Sequence, residues 1–164
     1  MSKVRWTSIV IFGAILMAVT AGPAYAKSKS PWRCIVVGTQ CEAEHLATVD
    51  FQRFIAQVNH HVPELLTVDE WSQHPKPAVI FGTLENNALL KGWPVSVDTM
   101  GDQGYCLSAA RIKEAEVIVA AGVTSTGAVN AVYGLLRDLG FRFYLGSESI
   151  PESLPDLLSK SPIL

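Results

Sequence analysis

Cysteine is scarce in this chain: Cys34, Cys41 and Cys106 are the only three in 164 residues. That count excludes a fold held by a disulfide framework, and an odd number allows at most one bridge within a monomer. Cys34 and Cys106 both fall in predicted strands, so they can pair if those strands are neighbours with Cα atoms within about 7 Å. Three buried thiols acting as small hydrophobes are the other reading. Nothing marks a Cys–His pair as a nucleophile.

Basic charge is scarce too, with 13 Lys and Arg against 15 Asp and Glu. No basic patch is available to displace counterions from a polyanion, which excludes nucleic acid and argues against anionic membrane surfaces as partners. Phosphate-cradling glycines are missing as well. Gly38 stands alone after the first strand, with Cys41 and Glu42 where a pyrophosphate would need bare backbone. Gly122 and Gly127 bracket four residues as a P-loop does. However, Ala128 and Val129 replace the lysine and hydroxyl residue that grip phosphate and magnesium. The reading is a capped helix, with no cofactor. His60 and His61 are adjacent and point apart, and His45 and His74 have no spaced partners, so no metal site is expected. No catalytic, cofactor-binding or metal-binding residue is assigned.

One long apolar run is present, at the N-terminus. Lys3 and Arg5 precede an apolar stretch over residues 7–21, and Ala24-Tyr25-Ala26 supplies a small-x-small cleavage site. Residues 1–26 therefore read as a secretory signal peptide cleaved after Ala26, placing the mature protein in a secreted or periplasmic location with no stable membrane insertion. A retained anchor is the competing reading, since about 20 apolar residues span a bilayer. Gly22-Pro23 and the Ala-x-Ala argue against it. Cleavage leaves 138 residues with 11 basic and 15 acidic groups, one domain's worth of chain carrying a charge near −4.

After a polar leader, residues 32–37 (WRCIVV) form a run of β-formers stopped by Gly38. A helix follows over residues 42–58, where Ala47, Phe51, Phe54, Ile55 and Val58 make one stripe. Glu42 and Glu44 suit the positive end of its dipole. Residues 64–68 and 78–82 read as strands, separated by a polar loop at 69–77 bracketed by Pro75 and Pro77. A short helix is expected at 86–90 and irregular chain at 91–102. Residues 104–110 alternate, with Tyr105, Leu107 and Ala109 on one face and Cys106 and Ser108 on the other; a polar turn then joins them to a strand at 117–121 in an antiparallel hairpin.

The most complete unit runs over residues 116–145. A strand leads to a Gly/Ser/Thr turn with an N-cap hydroxyl. A helix with the stripe Val132, Leu135, Leu136, Leu139 follows, then Gly140 as its C-terminal stop and an aromatic final strand, Phe141-Arg142-Phe143-Tyr144. Residues 147–164, with Pro151, Pro155 and Pro162, resemble a linker.

Four stretches carry a family likeness. They are Glu44-His45-Leu46-Ala47 leading into Phe51-Gln52-Arg53-Phe54-Ile55, then Ala78-Val79-Ile80-Phe81-Gly82-Thr83, then Gln103-Gly104-Tyr105. The most specific is Ala131-Val132-Tyr133-Gly134-Leu135-Leu136-Arg137-Asp138-Leu139-Gly140-Phe141-Arg142-Phe143-Tyr144. Residues 32–146 in this respect resemble the N-terminal, non-catalytic domain of family 67 alpha-glucuronidases, related to that of family 20 beta-hexosaminidases. Family members often have Trp-Tyr and then Pro-Gly where Phe143-Tyr144 and Leu145-Gly146 stand here. The resemblance implies an α/β (α+β) two-layer sandwich, a mixed β-sheet with two main helices packed on one face. It also implies that catalytic carboxylates would belong to a following (β/α)8 barrel, which 164 residues do not include, so none is carried over.

The expected function is a secreted non-catalytic accessory domain of glycoside-hydrolase type, whose partner is a hydrolase barrel on another chain or a glycan. A free-standing carbohydrate-binding module is the alternative, with Trp32, Trp71, Trp93, Tyr105 and Tyr144 as stacking platforms. A small hydrolase using Asp98 and Asp102 is the third reading, but it needs two carboxylates held about 5 to 9.5 Å apart.

Overall fold

The structure, a computed structural model, describes residues 32–93 and 100–157. The signal peptide and its cleavage site lie outside them, as does Asp98. Strand β1 (Cys34–Val37) leads to helix α1 (Glu42–Asn59), β2 (Glu64–Thr67), α2 (Val68–Gln73) and β3 (Ala78–Thr83). A single 3-10 turn (Ala88–Leu90) precedes β4 (Tyr105–Ile112), β5 (Ala115–Gly122) and helix α3 (Ser125–Asp138). Two short strands, β6 (Arg142–Tyr144) and β7 (Ser147–Ser149), come last.

Five strands form one mixed sheet in the order β2-β1-β3-β5-β4. Neighbours among β2, β1, β3 and β5 run parallel, and β4 closes the edge antiparallel to β5. The central strands are buried along their whole length, because side chains alternate between two covered faces. Ile35, Val37, Val79, Phe81, Leu107, Ile118 and Ala120 meet α1 and α3, which lie side by side on one face. Phe51 from α1 presses its ring edge-on against Phe81, with centroids 4.9 Å apart. This is the mixed sheet with two main helices on one face that the resemblance implies.

The opposite face is covered by shorter pieces. Cys34, Val36, Ala78, Ile80, Val117, Val119 and Ala121 pack with Trp71 of α2 and Leu90 of the 3-10 turn. Helix α2 corrects the polar-loop expectation at 69–77. Its first turn is held by Thr67, whose backbone N–H donates to Glu70 at 2.8 Å while its hydroxyl accepts from the Glu70 N–H at 3.3 Å. The helix thereby buries Trp71 completely, its indole N–H donating to the Lys76 carbonyl at 2.9 Å.

The strand order decides between the two readings of the cysteines. Cys34 and Cys106 are not on neighbouring strands: β3 and β5 lie between β1 and β4, a separation of roughly 14 Å at ~4.8 Å per strand. All three cysteines are free. The expected aromatic strand after α3 is present, outside the main sheet. It pairs with β7 in its own two-stranded ribbon, turning at Leu145-Gly146 with Gly146 at φ 83°. Beyond the ribbon, Leu154 and Leu157 are buried against the helices, so the chain through residue 157 belongs to the packed unit.

Candidate functional site

Glycines set the shape around α3. A Cβ on Gly122 would sit 2.0 Å from the Ala128 backbone nitrogen, and one on Gly127 would sit 2.3 Å from the Gly104 carbonyl oxygen. The glycine bracket thus lets the end of β5, the start of α3 and the chain entering β4 meet backbone to backbone. Thr124 caps the helix, its hydroxyl accepting from the Gly127 N–H at 3.2 Å and donating to the Asp102 carbonyl. Helix capping, as the sequence indicates, is what this turn does. The space before Gly38 is likewise taken, by the Asn86 carbonyl 2.2 Å from where a Cβ would be.

At its other end α3 stops in a left-handed turn at Gly140 (φ 100°). The Gly140 N–H donates to Arg137 O and the Phe141 N–H to Leu136 O, each at 3.0 Å. Arg142 then folds back, and its Nη1 donates to the carbonyls of Arg137 (2.7 Å) and Phe141 (2.8 Å), a cation satisfying the negative end of the helix.

Between this helix end, β4 and the ribbon lies a cleft of about 380 Å³, lined by Tyr105, Asn130, Tyr133, Gly134, Arg137, Phe141, Arg142 and Phe143. Tyr105 reaches it because Gly134 leaves room: a Cβ there would be 2.7 Å from the tyrosine ring. Arg137 Nη2 donates to the Tyr105 hydroxyl oxygen at 3.0 Å. Asn130 donates to the Gln103 carbonyl at 3.2 Å. On the far side the Tyr133 hydroxyl donates to Asp50 at 2.7 Å, and Arg53 bridges Asp50 and Glu148, each at 3.3 Å. Partial burial, then the hydrogen bond to Asp50 and its charge, push the Tyr133 phenol up to about 12. Phe143 packs edge-on against both Phe54 and Tyr133, at 5.2 and 5.7 Å between centroids. A second groove, lined by Phe143, Tyr144, Gly146, Ser147 and Glu148, continues along the ribbon.

The sequence-singled residues scatter across this frame. Trp32 and Trp71 are core residues, and Trp93 packs partly buried under the sheet. Tyr105 alone of the five platform candidates lines the cleft, and Tyr144 stands exposed on the ribbon. The four histidines are exposed, and no group of three metal-ligating side chains forms among the described residues. Asp102 is exposed near the start of β4. Sequence reading did not single out Asn130, Arg137, Arg142 or Phe143 as site residues, although all but Asn130 fall within the stretch that carries the family likeness. Compared with known proteins, the chain matches no family model, and no curated protein matches it.

Proposed function

We propose that this protein is a secreted, non-catalytic accessory domain of glycoside-hydrolase type, working beside a hydrolase barrel on another chain. The observation that carries the reading is the ribbon. Phe143 (41 %), Tyr144 (63 %), Leu145 and Ile150 keep large apolar surfaces exposed along one short stretch of chain, whereas the other exposed large apolar residues, Leu46, Val49, Val62 and Leu65, are spread over α1, the turn after it and β2. Clustered exposed apolar side chains of this kind mark a surface for another molecule. The architecture adds support, a mixed sheet with two main helices on one face being what the family resemblance implies. The carboxylates near the cleft have structural partners: Arg53 ties Asp50 and Glu148 together, and Tyr133 holds Asp50. Hydrolysis of a glycoside would instead call for two carboxylates facing each other across the cleft.

Incubation with aryl glucuronides and aryl N-acetylhexosaminides tests the proposal. No turnover is expected. Reproducible hydrolysis that disappears on substituting a single carboxylate would overturn it.

A free-standing carbohydrate-binding module is the second reading, and Tyr144 is the observation in its favour. Stacking on sugars calls for two or more exposed, roughly coplanar rings. Here Trp32 and Trp71 are buried, and Phe143 meets its aromatic neighbours edge-on.

A further inference from the structure

We propose that the cleft between α3, β4 and the ribbon binds a small ring-bearing carboxylate, with Arg137 and Arg142 holding the carboxylate and Phe143 and Tyr133 flanking the ring. This goes beyond the accessory-domain reading and does not depend on which chain supplies catalysis.

The polar groups of the cleft are chiefly donors. The Tyr105 oxygen already accepts from Arg137 at 3.0 Å, which leaves its own O–H to donate. Arg137 uses one guanidinium N–H in that bond, and Arg142 uses its Nη1 on two backbone carbonyls. The remaining N–H groups of both side chains have no partner among the described residues, and neither guanidinium forms an ion pair there. A planar guanidinium matches the two oxygens of a carboxylate with parallel hydrogen bonds. The lining contains no Asp or Glu to compete for them.

Structural hydrogen bonds use only part of each guanidinium. Arg142 satisfies helix carbonyls. Arg137, on the last turn of α3, extends across to Tyr105 on β4 instead of folding onto its own helix. Gly134 seats the Tyr105 ring at a helical position where glycine is less favourable than alanine. Beside these donors stand two rings, Tyr133 and Phe143, set at 89° to each other so that they form a corner. A volume of about 380 Å³ lies in the range of small-molecule sites.

The test is a titration followed through the amide and arginine Nε resonances of the protein. Three probes are compared: benzoate, its neutral analogue benzamide, and inorganic phosphate. Benzoate is expected to give saturable shifts confined to Tyr105, Asn130, Tyr133, Arg137, Arg142 and Phe143. Benzamide and phosphate should each bind at least about tenfold more weakly, one lacking the charge and the other the ring. Arg137→Gln leaves an exposed position and should weaken benzoate about tenfold without changing the melting temperature. Arg142→Gln should weaken it similarly, and Arg111→Gln, at the far end of the hairpin, should not. Shifts that are absent or unsaturable, equal binding of benzoate and benzamide, or unchanged affinity in Arg137→Gln would each overturn the site. Phosphate binding as tightly as benzoate would overturn the role given to the rings.

Discussion

Gly134 and Tyr105 are complementary across the interface between helix and sheet edge: the ring atoms of Tyr105 lie where a Cβ on residue 134 would be, 2.7 Å from the nearest of them. Gly134→Ala therefore has to move the ring. The clash is with the far end of a half-buried side chain, so Tyr105 can swing outward. The cost of overpacking, about 1–3 kcal/mol, is then offset in part by about 1 kcal/mol of helix propensity. A net loss of stability of about 0–2 kcal/mol is expected, while the Arg137–Tyr105 hydrogen bond is lost and the Arg137 Nε resonance shifts. An unchanged Arg137 environment would contradict the arrangement.

Gly127 gives the contrasting case. Its missing Cβ faces the Gly104 carbonyl at 2.3 Å, and backbone cannot swing aside. Gly127→Ala should destabilise the fold by about 2 kcal/mol or more, as overpacking against fixed atoms does. Urea denaturation reads the difference, and equal stabilities for Gly127→Ala and Gly134→Ala would count against the packing described.

A gain in stability is expected in the β4–β5 hairpin. Ile112 pairs with Ala115, so Lys113 and Glu114 form a two-residue turn, and both have positive φ, 47° and 65°. Such turns favour glycine and asparagine, and a left-handed conformation costs other residues about 1 kcal/mol or more. Glu114→Gly should raise stability by about 0.5–1 kcal/mol after glycine's extra unfolded-state entropy is included. A lower melting temperature would contradict the turn assignment.

Alkaline titration probes the tie between α1 and α3. The phenol of Tyr133 is raised from 10.0 to about 12 in the folded protein, so the neutral form is favoured by folding. Its contribution to stability is complete below pH 10 and is lost as the pH rises through about 12. In Tyr133→Phe the loss of stability over this window should be smaller than in the parent. The Asp50 bond, being partly exposed, is weakened by solvent, so the effect is modest.

Thiol reactivity tests the sheet order. Burial raises Cys34 to about 11 and raises Cys106 as well, whereas Cys41 is exposed at the start of α1. In the native protein one thiol, Cys41, should react quickly with a disulfide reagent, and all three should react after denaturation. A native Cys34–Cys106 disulfide found by mass spectrometry would contradict the strand order.

The sequence made the sheet centre and the two long helices legible because burial there is patterned locally. Val79, Ile80 and Phe81 are apolar on both faces, and Phe51, Phe54 and Ile55 repeat at helical spacing. Helix α2 was harder, since its composition is polar and prolines follow it. Thr67 and Glu70, three residues apart before Trp71, were the available signal for its start. The ribbon depended on Gly146 taking a left-handed turn, and the burial of Leu154 and Leu157 depended on a docking surface made by other elements. The cleft was not legible for the same reason. Tyr105 and Arg137 are 32 residues apart, and only the hairpin and a helical glycine bring them together.

The central claim is that the cleft receives a carboxylate-bearing ligand and performs no hydrolysis. Phenyl glucuronide, which is at once a ring-bearing carboxylate and a glycoside, tests it most directly when mixed with the protein and followed by NMR. The account predicts shifts at Tyr105, Arg137 and Phe143 while the glycoside stays intact. Release of phenol beyond one equivalent of protein, abolished by Glu148→Gln or Asp102→Asn, would contradict it.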